Sequence, residues 1–176
     1  MFKKLALLTA AAALVCAAVA PLAAQAQAPA SPPAKATATI GAATVTIDYA
    51  QPSMRGRKIM GGLVPFGKVW RTGANKATQL TTAAAITIGT LAVPAGTYTV
   101  YTVPGEKAWT LIINKQTGQW GTQYDQAQDL GRVDMTVEPV QAAVEKFTIA
   151  INATGAKGTL TMEWENTRAS VAIEAK

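Results

Sequence analysis

The stretch VPAGTYTVYTVPGEKAWTLII, Val93 to Ile113, decides the fold. A Pro94-Ala95-Gly96 turn feeds Thr97 to Val103, a run made almost wholly of β-branched and aromatic residues. Pro104-Gly105-Glu106-Lys107 then reverses the chain into Trp109, Leu111 and Ile113. Two such runs joined by a Gly/Pro turn predict an antiparallel hairpin. Outward from it the same period of two recurs. Val45, Ile47 and Tyr49 alternate with Thr44, Thr46 and Asp48, and Ile86 and Ile88 lead through Gly89 to Leu91 and Val93. Further on stand Val133, Met135, Val137; Phe147, Ile149, Ile151; Leu160, Met162, Trp164; and Val171, Ile173. No segment carries an apolar helical period, and Gln119 to Leu130 is the best place for a single helical turn. Eight or nine strands in one domain predict an all-β fold, an antiparallel two-sheet sandwich or flattened barrel. Tyr98, Trp109, Phe147 and Trp164 are its expected core aromatics.

The N-terminus reads differently. Lys3 and Lys4 precede an apolar run, Leu5 to Ala20, and Ala-x-Ala sites follow at 24–26 and 26–28. A charged start, a short apolar core and a small-residue exit predict a cleavable signal peptide over residues 1–28. The run is short of the roughly 20 apolar residues of a membrane span. Residues 29–36, rich in Ala and Pro, read as a flexible lead-in, and 37–176 as a single β-sandwich domain. Export places the protein in the periplasm or outside the cell, without a transmembrane segment after cleavage. Removing 28 residues from 176 leaves 148, ample for one core.

There is no histidine, and the single cysteine, Cys16, lies within the signal. The mature chain therefore has no disulfide, no Ser-His-Asp triad, no Cys or His nucleophile and no Cys/His zinc site. Only carboxylates, Lys, Tyr, Ser/Thr and backbone groups remain for chemistry. Nothing calls for a cofactor, although a carboxylate-bound Ca²⁺ stays open, and nothing sets an oligomeric state.

Between the strand patterns runs a long segment, Gln51 to Thr78, without a clean period. It carries Ile59, Met60, Leu63, Val64, Phe66, Val69 and Trp70, too apolar a set for a free linker. Within it GLVPFGKV, residues 62–69, imitates a phosphate-binding loop. A working P-loop follows its lysine with Ser or Thr for Mg²⁺, and it joins a strand to a helix. Here Val69 takes the Ser/Thr place, Pro65 removes one N–H from the cradle, and the context is all-β. A nucleotide site is excluded.

The segment's charge stands out. No acidic residue lies between Asp48 and Glu106, whereas Arg55, Arg57, Lys58, Lys68, Arg71 and Lys76 all do. Two readings stand. The cations pair with later carboxylates such as Asp125, Asp129, Glu163 and Glu165, making the segment a structural clasp. Alternatively, Arg55, Arg57, Lys68, Arg71 and Asn75 form a surface for an anionic ligand, with Trp70 or Phe66 as a stacking face. On that reading Val64, Val69 and Trp70 anchor the segment, and Gly61-Gly62 and Gly73 supply its positive-φ turns. The patch is local and the chain exported, so nucleic acid is not an expected partner.

The succession PSMRGRKIMGGLVPFGKVWRTGAN, then VPAGTYTVYTVPG, WTLIINK, QWGTQYD and DLGRV, resembles a secreted bacterial family catalogued as domain of unknown function 2911. The likeness runs from about Ala38 to Glu165. It implies an exported domain and assigns no activity. The family pattern places an acidic residue after Gly-Ala-Asn; Lys76 stands there in this chain, which removes any carboxylate role at that position.

Enzymatic chemistry has few residues to draw on. Asp125 and Asp129 are the best carboxylate pair, four apart, and pairing of Asp129 with Arg132 is their plainest role. The leading expectation is a non-enzymatic module that binds a small anionic or polar ligand, a glycan or an envelope component through residues 51–78. A carboxylate-based hydrolase of a sugar or ester, and a structural envelope protein with no small ligand, are the alternatives. Paired carboxylates in one concave pocket would favour the hydrolase; a basic, aromatic-lined pocket without them would favour binding.

Overall fold

The computed structural model describes residues 30–176; the expected signal peptide lies outside them. Nine strands follow one another: β1 (Pro33–Ile40), β2 (Ala43–Ala50), β3 (Thr78–Thr82), β4 (Ile86–Ile88), β5 (Leu91–Val93), β6 (Gly96–Val103), β7 (Ala108–Asn114), β8 (Asp129–Thr154) and β9 (Lys157–Ala175). All pairings are antiparallel, as the alternation requires. They form one open sheet in the order β1-β2-β3-β6-β7-β8-β9-β4-β5. The expected helical turn is a 3-10 turn, Gln126–Gln128. Among the described residues no helix is long and apolar enough to cross a membrane.

The two layers come from one sheet folded on itself. Nine strands laid flat would span roughly 38 Å at the usual spacing, yet residues from β1 through β9 share a single core cluster. The bend is legible in the longest ribbon. β8 and β9 lose register between Pro139 and Val144 and again between Val144 and Thr148, and Glu165, opposite Val144, has φ +55°. Extra residues of this kind bend a strand and sharpen its twist, which brings the distal half of β8 against β1. Trp109, Phe147, Trp164 and Tyr98 are all buried there.

Two strands were hidden from the sequence pattern. β1 begins at Pro33, inside the stretch 29–36 that composition marks as a lead-in, and pairs with β2 over its whole length. β3 supplies one large apolar residue, Leu80, and is recognisable only by its neighbours.

Candidate functional site

Residues 51–78 leave β2, cross the bend of the sheet and return as β3. They dock where β8 breaks register with β9. Freed there from β9, the backbone of β8 pairs with the segment: Phe147 N–H donates to Pro52 O (2.9 Å) and Met54 N–H to Glu145 O (2.8 Å). Two carboxylates then grip main-chain donors. Glu145 Oε1 accepts from Arg55 N (2.9 Å). Glu165 takes both Ile59 N (3.2 Å) and Met60 N (2.9 Å). Ile59, Met60 and Val64 are buried in the core, and a tight turn closed by Val64 N–H to Ile59 O (2.9 Å) passes through Gly61 at φ +73°.

Three expectations change at this point. Val69 is no anchor but stands exposed, as do Leu63 and Phe66. Of the Gly61-Gly62 pair only Gly61 takes a positive φ, whereas Gly73 does so at +148°. Trp70 is not a free stacking face. Its backbone exchanges two bonds with Thr102 (2.7 and 3.0 Å). Its ring lies parallel to Trp164 at 5.7 Å and edge-on to Phe147 at 4.9 Å and to Trp109 at 6.1 Å. Such contacts each add about 0.5–1.5 kcal/mol beyond area burial, so the indole serves mainly to hold the segment down.

The expected pairing of the cations with later carboxylates does not occur. None of the six basic residues of the segment forms an ion pair with a described carboxylate. Asp129 pairs with Arg132 at 2.9 Å, Glu163 with Arg168, and Asp125 caps the 3-10 turn through Ala127 N (2.9 Å). Acidic residues do clasp the segment, but through its backbone N–H groups, which leaves its cationic side chains to other uses.

Arg57 and Arg71 converge on one cavity of about 640 Å³. Arg57 is fixed by its own loop, with Nε donating to Met54 O (2.9 Å) and Nη2 to Ser53 O (2.8 Å). Arg71 Nε donates to Gly73 O (3.2 Å), and its stem lies across Gly121, where a Cβ would sit 2.8 Å from Arg71 Cδ. Trp70, Asn75, Tyr101, Tyr124 and Trp164 complete the aromatic and polar wall, and no carboxylate lines it. Asn75 holds φ +61°, a conformation that Asn tolerates better than most residues. The other two expected ligand residues are elsewhere. Arg55 Nη2 reaches Ala30 O (3.1 Å), and Lys68 is exposed; neither lines the cavity.

Tyr101 and Tyr124 belong to the site without having been singled out as such in the sequence. Their rings meet edge to face at 4.9 Å. Tyr124 donates to Asp129 Oδ2 (2.8 Å) and accepts from Arg132 Nη2 (2.7 Å). Burial, reinforced by the Asp129 carboxylate, pushes its phenol up to about 12. Burial likewise raises Tyr101. Both phenols therefore stay neutral at any physiological pH, and the positive charge of the cavity comes from Arg57 and Arg71.

Compared with known families, residues 31–173 match the model of a family described as protein of unknown function (DUF2911). No curated protein and no solved structure matches the chain.

Proposed function

We propose that this chain, which belongs to the DUF2911 family, is a non-enzymatic binding module that takes a small anionic ligand between Arg57 and Arg71. One observation carries the reading: two arginines, neither paired with a carboxylate, line one cavity whose other residues are uncharged. A guanidinium has five N–H donors. Arg57 spends two of them on backbone carbonyls and Arg71 one. Those bonds orient the groups while the remaining donors suit a carboxylate or phosphate. Side chains ordered in advance lose less entropy when a ligand arrives. A hydrolase working by two carboxylates would need them across one cleft, and this cavity is lined by none. In an exported protein, acidic glycans and envelope components are ligands of the right chemistry.

The test is the double substitution Arg57→Gln/Arg71→Gln, titrated with a panel of uronates, dicarboxylates and phosphate esters. The variant is expected to lose all salt-sensitive binding while its unfolding free energy stays within about 1 kcal/mol of the parent, as for surface charges. Undiminished binding in a folded variant would overturn the reading.

A further inference from the structure

A second cavity, of about 650 Å³, lies on the outer face of the sheet. Its floor follows from register. Lys35, Asp48, Gln79, Thr99, Asn114 and Asp129 are successive partners across β1, β2, β3, β6, β7 and β8. Directly paired residues share a face, so six polar side chains form one row opposite the core. The loop after β7 covers part of that row, burying Thr99 and Asn114. Asp48 and Gln79 remain in the cavity, which Asn75 to Ala77 and Gly118 to Trp120 also line as adjacent, bridged stretches. These stretches are tied together by Ala77 N–H to Gln119 O (3.2 Å) and Gly121 N–H to Asn75 O (3.0 Å).

One detail points to a ligand, and a second shows that the wall is rigid. Trp120 lines the cavity and is 49% exposed, the most exposed aromatic among the described residues. Gln119 also lines it and is only 9% exposed, yet its Oε1 meets no protein donor. The amide cannot be turned to remove that fault. Thr99 Oγ1 spends its hydrogen on Gln116 O (2.7 Å) and Tyr101 OH spends its own on Gln123 O (2.7 Å). Both hydroxyls must therefore accept, and Gln119 Nε2 donates to each (3.1 and 3.2 Å). The amide is thus fixed in place, and its Oε1 is sealed from solvent, so Gln119 braces the cavity wall and does not itself meet a ligand.

We infer that this cavity is a saccharide subsite. A sugar ring lays its C–H face on Trp120, and its hydroxyls, which donate and accept at once, bond to Asp48 and Gln79. Asp48 pairs with Lys35 (3.0 Å) and Lys76 also lines the cavity, so this position has no excess of either charge and suits a neutral ring. Asn75 lines both cavities, so a neutral ring here lies next to a carboxylate held by Arg57 and Arg71. The ligand class is an acidic oligosaccharide, an assignment that rests on the binding reading above for its charged part only.

An array of neutral and uronic-acid oligosaccharides tests this with the parent chain, Trp120→Ala, Trp120→Phe and Arg57→Gln/Arg71→Gln. The parent is expected to retain uronic-acid oligosaccharides most strongly and neutral ones of the same backbone more weakly. Trp120→Ala should weaken both by roughly threefold to tenfold, in line with the worth of one aromatic contact, and Trp120→Phe should restore them. The double arginine variant should lose the preference for acid and keep the neutral binding. If Trp120→Ala matches the parent on every sugar, or the parent retains none, the subsite is refuted. If Trp120→Ala weakens binding but the arginine variant keeps its acid preference, the subsite stands and the arginine reading falls.

Discussion

Glu165 is the residue on which the docking of the 51–78 segment most depends. Replacing it by alanine removes the acceptor of Ile59 N and Met60 N at once, beside two side chains that are 0% and 7% exposed. Hydrogen bonds to a charged group contribute about 1.5–3 kcal/mol each. The carboxylate is only half-buried, which favours the lower end, so Glu165→Ala is expected to cost about 2–4 kcal/mol. Glu165→Gln keeps one carbonyl acceptor and should cost about half as much. Urea unfolding followed by tryptophan fluorescence reads both, because Trp164 is the adjacent residue and stacks on Trp70. Tryptic cleavage after Arg57 and Lys58 should accelerate in parallel as the released turn opens locally. A Glu165→Ala variant within about 0.5 kcal/mol of the parent, with unchanged cleavage, would refute the claim that carboxylates hold this segment by its backbone.

Three further outcomes follow from the same geometry. Trp164→Ala removes the stacking partner of Trp70 and the Nε1–H bond to Glu145 O, and should cost about 3–5 kcal/mol in chemical unfolding; a loss below about 1 kcal/mol would contradict its core role. Gly73→Ala puts a Cβ 3.0 Å from both Ala50 O and Thr78 Oγ1 at φ +148°, so a loss of about 2–3 kcal/mol is expected from strain alone, and a neutral result would show the loop to be pliable. Tyr124 holds its proton more tightly in the folded chain, at about 12 against an ordinary 10.0. Its contribution to stability is therefore complete below pH 10 and is lost as pH rises from 10 toward 12. Ultraviolet titration should show a phenol ionising near 12 that disappears in Tyr124→Phe, and its persistence there would assign it to another tyrosine.

The strands whose side chains alternate between β-branched or aromatic residues and polar ones were legible in the sequence, because half-burial imposes that period directly. β1 was not, since Ala34, Ala36 and Ala38 carry little β signal and its Pro33 start imitates a linker. The long basic segment was legible as a unit, through its missing acidic residues and its surplus of apolar ones. Its wiring was not. Glu145 and Glu165 reach it from 90 and 106 residues away, and sequence has no measure of that distance in space. Nor could sequence separate Arg57 and Arg71 from Arg55 and Lys68, since four cations in one loop look alike until the turns at Gly61 and Gly73 aim them. Trp120 did carry a signal: an indole between Gly118 and Gly121 in a polar run has no apolar neighbours to pack beside it.

The claim that Arg57 and Arg71 form one anion site is tested most directly by following their side-chain Nε–Hε resonances during titration with an acidic oligosaccharide. Both signals are expected to move together along one binding curve, with an apparent affinity that falls as salt is raised, while the Nε–Hε of Arg55 stays still. Movement of Arg55 alone, or binding that leaves Arg57 and Arg71 unmoved, would contradict the account.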